Sequence, residues 1–198
     1  DFGRDPALTV GLSGGQQWTP ANVTAGTATP TKNIEDWQNI ILKKSGAKVT
    51  DIVFSTSAWT GFLADPLAKG AIQYPMLAQS GNVINPGAQI EQGAVYKGKW
   101  GQYDLWVYND WYVDENNVEQ PMLPDGDIIM SGPNLLGTRA FGQIMDPAFN
   151  YEPMPFAPKT WVEQDPAQRL IMMQSSPIVI PSRVNACFSA NVCPAVVD

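Results

Sequence analysis

The chain has 198 residues, 44% of them hydrophobic, enough for one or two compact units with cores of their own, which argues against disorder. Twelve Lys+Arg against nineteen Asp+Glu give a net charge of -7, so the surface as a whole repels nucleic acid. The absence of histidine removes the commonest general base, the commonest metal ligand and every Ser-His or Cys-His arrangement.

Residues 1–26 are polar and Gly/Thr-rich, with Leu8-Thr9-Val10 as a short strand, Ser13-Gly14-Gly15 as its turn and Trp18 just after. Thr27 to Thr31, with Pro30, reads as a linker. Asn33 is a candidate helix N-cap, Glu35 and Asp36 complement the dipole of a first turn, and Gly46 is a natural stop after Lys43 and Lys44. Ile34, Trp37, Ile40 and Ile41 fall on one face of that helix and are expected to dock on a sheet. Val49 to Phe54 reads as a buried strand, and Ser57 opens a second helix that ends before Pro66. Residues 67–93, rich in Gly, Asn, Gln and Pro, are expected to be mainly loop with one short helix or strand.

Two aromatic-rich alternating runs from Ala94 to Val113, around a turn at Lys97-Gly98-Lys99-Trp100-Gly101, predict a β-hairpin. A turn at Asp114 to Asn117 follows, then a strand from Leu123 to Met130 headed by Pro124-Asp125-Gly126, and another over 137–145. Four prolines between Asp146 and Pro158 predict an extended, stiff connection without regular structure. Gln168 to Ser175 is a long strand, and Pro177 to Val192 adds one or two more.

Asp125-Gly126-Asp127, with Glu115 and Glu119, could be an oxygen-rich cation site or the acid pair of a glycosidase. A plain turn explains these residues more simply, because the alternate ligands and distal Glu of a calcium loop are absent. Several of the seven Trp and six Tyr alternate with Leu and Val along strands, as core packing and subunit contacts require. Gly11 to Gly15 lacks the Lys-Ser/Thr of a phosphate loop, and Asn22-Val23-Thr24 matches a glycosylation acceptor only by chance without a secretory context. Cys187 and Cys193 have no zinc spacing and are expected to be reduced. No apolar run reaches the ~20 residues of a membrane span and no signal peptide opens the chain, so it reads as soluble. No catalytic, cofactor-binding or metal-binding residue is assigned.

The run AVYKGKWGQYDLWVYNDWYV carries a resemblance. A V-Y-K-G-x-aromatic-G turn, a strand ending V-Y, then an L-P-D turn and a second strand resembles the lambda-type major capsid proteins, the phage major capsid protein E family. The likeness continues in order through LPDGDIIM, GTRAFGQIMD, PKTWVEQDPAQRLIMMQSSPIVI and an R-V-N-A-C-F-S-A-N-V ending, and a G-G-x-x-W step at Gly14 to Trp18 matches as well. The charged helical pattern that some relatives show at 67–93 is missing. In that family an N-terminal arm, an extended loop and a long spine helix precede the region in question. Nothing here matches them, and a start at Asp1-Phe2-Gly3-Arg4 without methionine reads as a fragment, the C-terminal portion of the family's chain.

The resemblance implies an α+β Hong Kong 97-type capsid fold, with an axial domain over 27–136 and 176–198 and a peripheral domain over 1–26 and 137–175. It implies a structural protein, not an enzyme: the major head protein of a tailed bacteriophage or prophage, self-assembling into pentamers and hexamers of an icosahedral shell. Its partner is itself, with scaffold, portal and decoration proteins as further candidates. Packaged DNA would be enclosed, not specifically bound, no membrane and no cofactor are implied, and the place is the virion, assembled in the host bacterial cytoplasm. In such a shell the tract Pro147 to Pro158 would strap subunits together, and Arg139 and Arg169, lying in strands, would pair with carboxylates of neighbouring chains. An encapsulin-like nanocompartment shell is the alternative within the fold. A carboxylate-dependent hydrolase or sugar-binding domain is the alternative outside it.

Overall fold

The computed structural model describes residues 3–73, 93–165 and 167–193. In chain order its elements are β1 (Thr9–Gly11), α1 (Pro20–Thr24), α2 (Pro30–Ser45), β2 (Asp51–Phe54), α3 (Thr56–Leu63), α4 (Pro66–Ala71), β3 (Ile72–Gln73), β4 (Ala94–Trp100), β5 (Tyr103–Tyr108), β6 (Trp111–Val113), β7 (Glu119–Pro121), β8 (Asp127–Ser131), β9 (Gly137–Phe141), β10 (Ala157–Gln164), β11 (Ala167–Gln174), β12 (Pro177–Pro181) and β13 (Phe188–Asn191). This is an α+β chain. Its described residues gather into two compact units, one drawn from Asp1–Leu135 and Val184–Asp198, the other from Leu136–Arg183.

In the first unit, α2 begins at Pro30 and not after Asn33. Proline suits the first helical position because its missing N–H would find no partner there. The buried Asp65 carboxylate accepts the Thr31 N–H at 3.3 Å and the Thr31 hydroxyl at 3.0 Å, and also the Leu67 N–H at 2.9 Å. One carboxylate therefore serves the first turns of both α2 and α4. Residues 27–31 are thus the approach to a helix and its first turn, not a linker. Gly46, in the left-handed region at φ 66°, closes α2 as its sequence position suggested. α3 starts at Thr56 with Ser55 as its cap, while Ser57, the expected start, turns its hydroxyl to Asp125. The expected loop from 67 onward begins with α4 and β3, and residues 74–92 lie outside those described.

The seven-stranded sheet runs β1-β13-β8-β2-β5-β4-β3. β1 lies parallel to β13 and β2 parallel to β5, while the other neighbours are antiparallel. Alternate residues form the buried face. Ile52 sits in register with Leu105 and Met130, and Phe54 with Val107 and Ile128, all buried. Ile34, Trp37 and Ile41 of α2 enter the same core, as their helical spacing predicts. Trp37 stacks between Trp18 and Phe188, with ring centroids 5.7 Å and 5.2 Å away, and Phe62 of α3 meets Phe54 at 5.2 Å. A methyl group on Gly61 would stand 2.0 Å from the Trp18 carbonyl oxygen, so only glycine lets α3 approach that closely. Residues 1–26 supply Leu8, Trp18 and Val23 to this core.

The expected hairpin forms from β4 and β5, but its turn is at Gly101-Gln102, between the paired Trp100 and Tyr103. Lys97-Gly98, read as part of the turn, is instead a bulge, where the register shifts between Tyr96 and Gly98. Trp111 to Val113 leaves that hairpin to pair with β7, and Asp114 closes the connection by accepting the Asn116 and Val118 N–H groups.

The second unit is a two-stranded ribbon. The chain from β11 into β12 pairs first with β10 and then with β9, and the Gly142 N–H extends the latter ladder to the Ser176 carbonyl at 2.8 Å. β9 ends at Phe141, short of the expected 145. The connection 146–158 holds a 3₁₀ turn at Pro147–Phe149 and left-handed Asn150 and Tyr151, so it is not uniformly extended. β10 has no counterpart in the sequence reading, since its prolines mask the alternation of Thr160, Trp161 and Val162. The Lys159 ammonium reaches the Asp146 carboxylate at 2.6 Å, which holds the Asp146 pKa below the ordinary carboxylate value, with the Ala148 N–H as a second cause.

Replacing Ile41, which is fully buried, with Asp is expected to destabilise the first unit by more than about 3 kcal/mol, since a charge without a partner enters the core. A urea unfolding midpoint equal to wild type would contradict the packing of α2.

Candidate interaction surfaces

The carboxylates singled out in the sequence scatter. The Asp125 carboxylate accepts the Ser57 hydroxyl and, at 3.2 Å, the Gly126 N–H, while the Asp127 carboxylate accepts the Asn191 side-chain amide at 2.7 Å. The Asp127 N–H returns to the Pro124 carbonyl at 3.1 Å, which is the turn that the sequence suggested. Glu115 lies exposed in the β6–β7 connection. Glu119 and Asp125 do share a cleft of about 480 Å³ with Asp110, Ser55, Tyr108 and Trp111. Sequence reasoning missed Asp110 and Ser55 there, because three separate segments must fold together to form the cleft. Among the described residues no group of three or more His, Cys, Asp or Glu is placed to hold a metal.

Other polar motifs have structural partners. The Asn22 side-chain amide donates to the Gly14 and Gln17 carbonyls at 3.2 Å and 3.0 Å, which ties the Gly14–Gln16 3₁₀ turn to α1. Cys187 and Cys193 are both free thiols. Burial, with the Asp125 carboxylate adding to it, pushes the Cys193 thiol up to about 11, so it stays a neutral core group.

The face of the sheet away from the helix residues is half-buried and carries a polar network. Asp51 and Asp104 are in register on adjacent strands, and each receives a donor: Trp106 Nε1 donates to Asp51 at 3.3 Å and Tyr96 OH to Asp104 at 2.9 Å. The two rings pack with centroids 4.9 Å apart, and Lys99 lies 3.8 Å from Asp104. Burial raises the Tyr96 pKa to about 12, helped by the hydrogen bond to Asp104 and by the charges of Asp104 and Asp51.

The most exposed apolar surface lies on two-stranded elements. Trp111, Tyr112 and Val113 of β6, Val162, Ile171 and Met173 of β10 and β11, and Ile178, Val179 and Ile180 of β12 all face solvent. A two-stranded ribbon is marginal in water without a covered face, and exposed apolar side chains of this extent make these strands candidate contact surfaces. The Arg139 and Arg169 positions fall in β9 and β11, inside strands as expected, and both are exposed.

A mixed sheet packed by helices defines an α+β protein, and its exposed apolar side chains gather on separate two-stranded elements. The comparisons are specific. The family model for the phage major capsid protein E matches residues 1–192, and the chain belongs to that family, one of capsid structural proteins and not of enzymes. It is 29% identical to the major capsid protein of Escherichia phage lambda over 184 residues, which cover 91% of this chain and 52% of that one. It is 28% identical to the major capsid protein of Escherichia phage N15, with the same coverage. The chain thus spans about half the length of the curated relatives it matches. A crystal structure described as a capsid protein of an E. coli CFT073 prophage shares the fold, with a TM-score of 0.76 and 19% identity over 98% of this chain and 55% of that one.

Above the ordinary tyrosine value the ionised phenolate is favoured less in the folded chain than in the unfolded one. Stability from Tyr96 is therefore complete below pH 10.0 and is lost as pH rises towards about 12. Tyr96→Phe is expected to flatten that part of the stability curve, and an unchanged alkaline slope in denaturant titrations would contradict the assignment. In the native chain Cys193 is expected to react with a thiol reagent only after unfolding, when both thiols titrate.

Proposed function

We propose that this chain is part of the major capsid (head) protein of a tailed bacteriophage or prophage, and that it builds the shell by binding copies of itself. The observation that carries the reading is the exposed apolar ribbon of the second unit, in a chain that belongs to the capsid protein E family across 1–192. Such surfaces are modest singly, and repetition around a closed ring makes them add up.

The finer reading is a Hong Kong 97-type fold in which the first unit serves as the axial part and the second as the peripheral part. Residues 1–26 then go with the axial part, because Trp18 stacks on Trp37 in its core. Scaffold, portal and decoration proteins are further partners on this reading, and the place is the virion head. A net charge of -7 suits a wall that encloses DNA without holding it.

Light scattering over a wide concentration range, followed by electron microscopy of the products, tests the proposal. For this chain small rings at most are expected, and for a protein of the relatives' full length shells or larger capsomer assemblies, together with negligible retention of duplex DNA on filters at physiological salt. A protein of the relatives' full length that stays strictly monomeric throughout would overturn it.

A further inference from the structure

Two exposed hairpin faces on this chain match each other and differ in charge. In β6–β7, Trp111 is in register with Pro121 and Val113 with Glu119, so these side chains share one face. Trp111 is 56% and Val113 60% exposed, and Glu119 is the charged residue among them. No Lys or Arg occurs anywhere in residues 101–138, so the surroundings of this face are acidic, and the same Trp111 and Glu119 border the cleft that holds Asp110 and Asp125.

In β10–β11, Val162 is in register with Arg169, Thr160 with Ile171 and Pro158 with Met173. Val162, Ile171 and Met173 are 69%, 76% and 67% exposed, and Arg169 is the charged residue of this outer face. Among the described residues neither the Glu119 carboxylate nor the Arg169 guanidinium has a side-chain hydrogen-bond or ion-pair partner. Each hairpin therefore presents an apolar strip with one unmatched charge beside a valine, negative on the first and positive on the second.

We propose that the outer face of β10–β11 in one copy docks on the β6–β7 face of a neighbouring copy, with the Arg169 guanidinium beside the Glu119 carboxylate and against the Trp111 ring. Charge complementarity favours this pairing over either face meeting its own copy. Two β10–β11 faces brought together would set arginine near arginine, and two β6–β7 faces would set glutamate near glutamate within an already acidic surface. A guanidinium also suits the aromatic wall of the cleft better than an ammonium does. The contact is heterologous: every copy offers both surfaces, so one contact repeats from copy to copy and closes a ring when its rotation allows. This inference rests on the self-assembly reading above and names a contact within it.

Charge reversal tests it. Arg169→Glu and Glu119→Arg, each made alone in the chain as it stands, are expected to weaken self-association by more than about tenfold in sedimentation velocity, with unchanged circular dichroism because both side chains are exposed. An equimolar mixture of the two variants is expected to regain association, because the reversed glutamate of one then meets the reversed arginine of the other across alternate contacts. Arg169→Lys is expected to retain only part of the affinity. If wild type associates and both reversals associate equally well, or if the mixture gains nothing over the separate variants, the assigned contact is wrong while the assembly reading stands. A wild type that never associates overturns the assigned contact, whereas only a full-length protein that stays monomeric overturns the assembly reading.

Discussion

The first unit depends on the sandwich of Trp37 between Trp18 and Phe188. These rings come from a loop, a helix and a strand far apart in sequence, and their stacking fixes α2 against the sheet while holding residues near both ends of the described chain. The backbone reinforces the same junction: the Trp18 N–H donates to the Val192 carbonyl at 2.7 Å, and the Leu12 N–H to the Asn191 carbonyl at 2.8 Å. Offset and stacked aromatic pairs contribute about 0.5–1.5 kcal/mol each beyond the area they bury, so a cluster of them outweighs any single polar contact nearby. The polar network at Asp51 and Asp104 is secondary by comparison. Its donors relieve two carboxylates in register on adjacent strands, and it decides local order more than global stability.

The second unit stands on different energetics. Ile144 and Ala157 are its fully buried apolar residues, whereas most of the side chains of β10, β11 and β12 remain in water. Its order comes from cross-strand hydrogen bonds and from local ties such as Lys159 to Asp146. Those ties hold a ribbon in register but do not shelter it. The two units differ accordingly: one is stable through what it buries internally, and the other leaves its apolar strips exposed.

What could be read from the sequence was local. The face of α2, a strand read over Val49 to Phe54 and formed over Asp51–Phe54, the β4–β5 hairpin and the Pro124-Asp125-Gly126 turn all follow from spacing and turn chemistry within a few residues. The start of α2 did not, because its first turn is completed by Asp65, a residue no local window contains. Gly98 looked like a turn glycine because bulges and turns call for the same residue. β10 was hidden by Pro155 and Pro158, which argue against a strand unless it lies at an edge, as it does here. The surfaces were least legible. The pairing of Val113 with Glu119 and of Val162 with Arg169 is a matter of register, and register is set by tertiary structure rather than by any motif. The attribution of aromatic content to core packing holds for Trp18 and Trp37, yet only the fold separates buried Trp18 from exposed Trp111.

The order of strands also sets the order in which the chain can be completed during synthesis. β13, the partner of both β1 and β8, is made from residues 188–191, so Thr9–Gly11 and the Trp18 ring lack their final neighbours until nearly the whole stretch has left the ribosome. The pairings within 136–183 join strands close in sequence, whereas the first unit is closed only by its last strand. Such non-local closure slows folding and lengthens the time that unfinished edges are exposed.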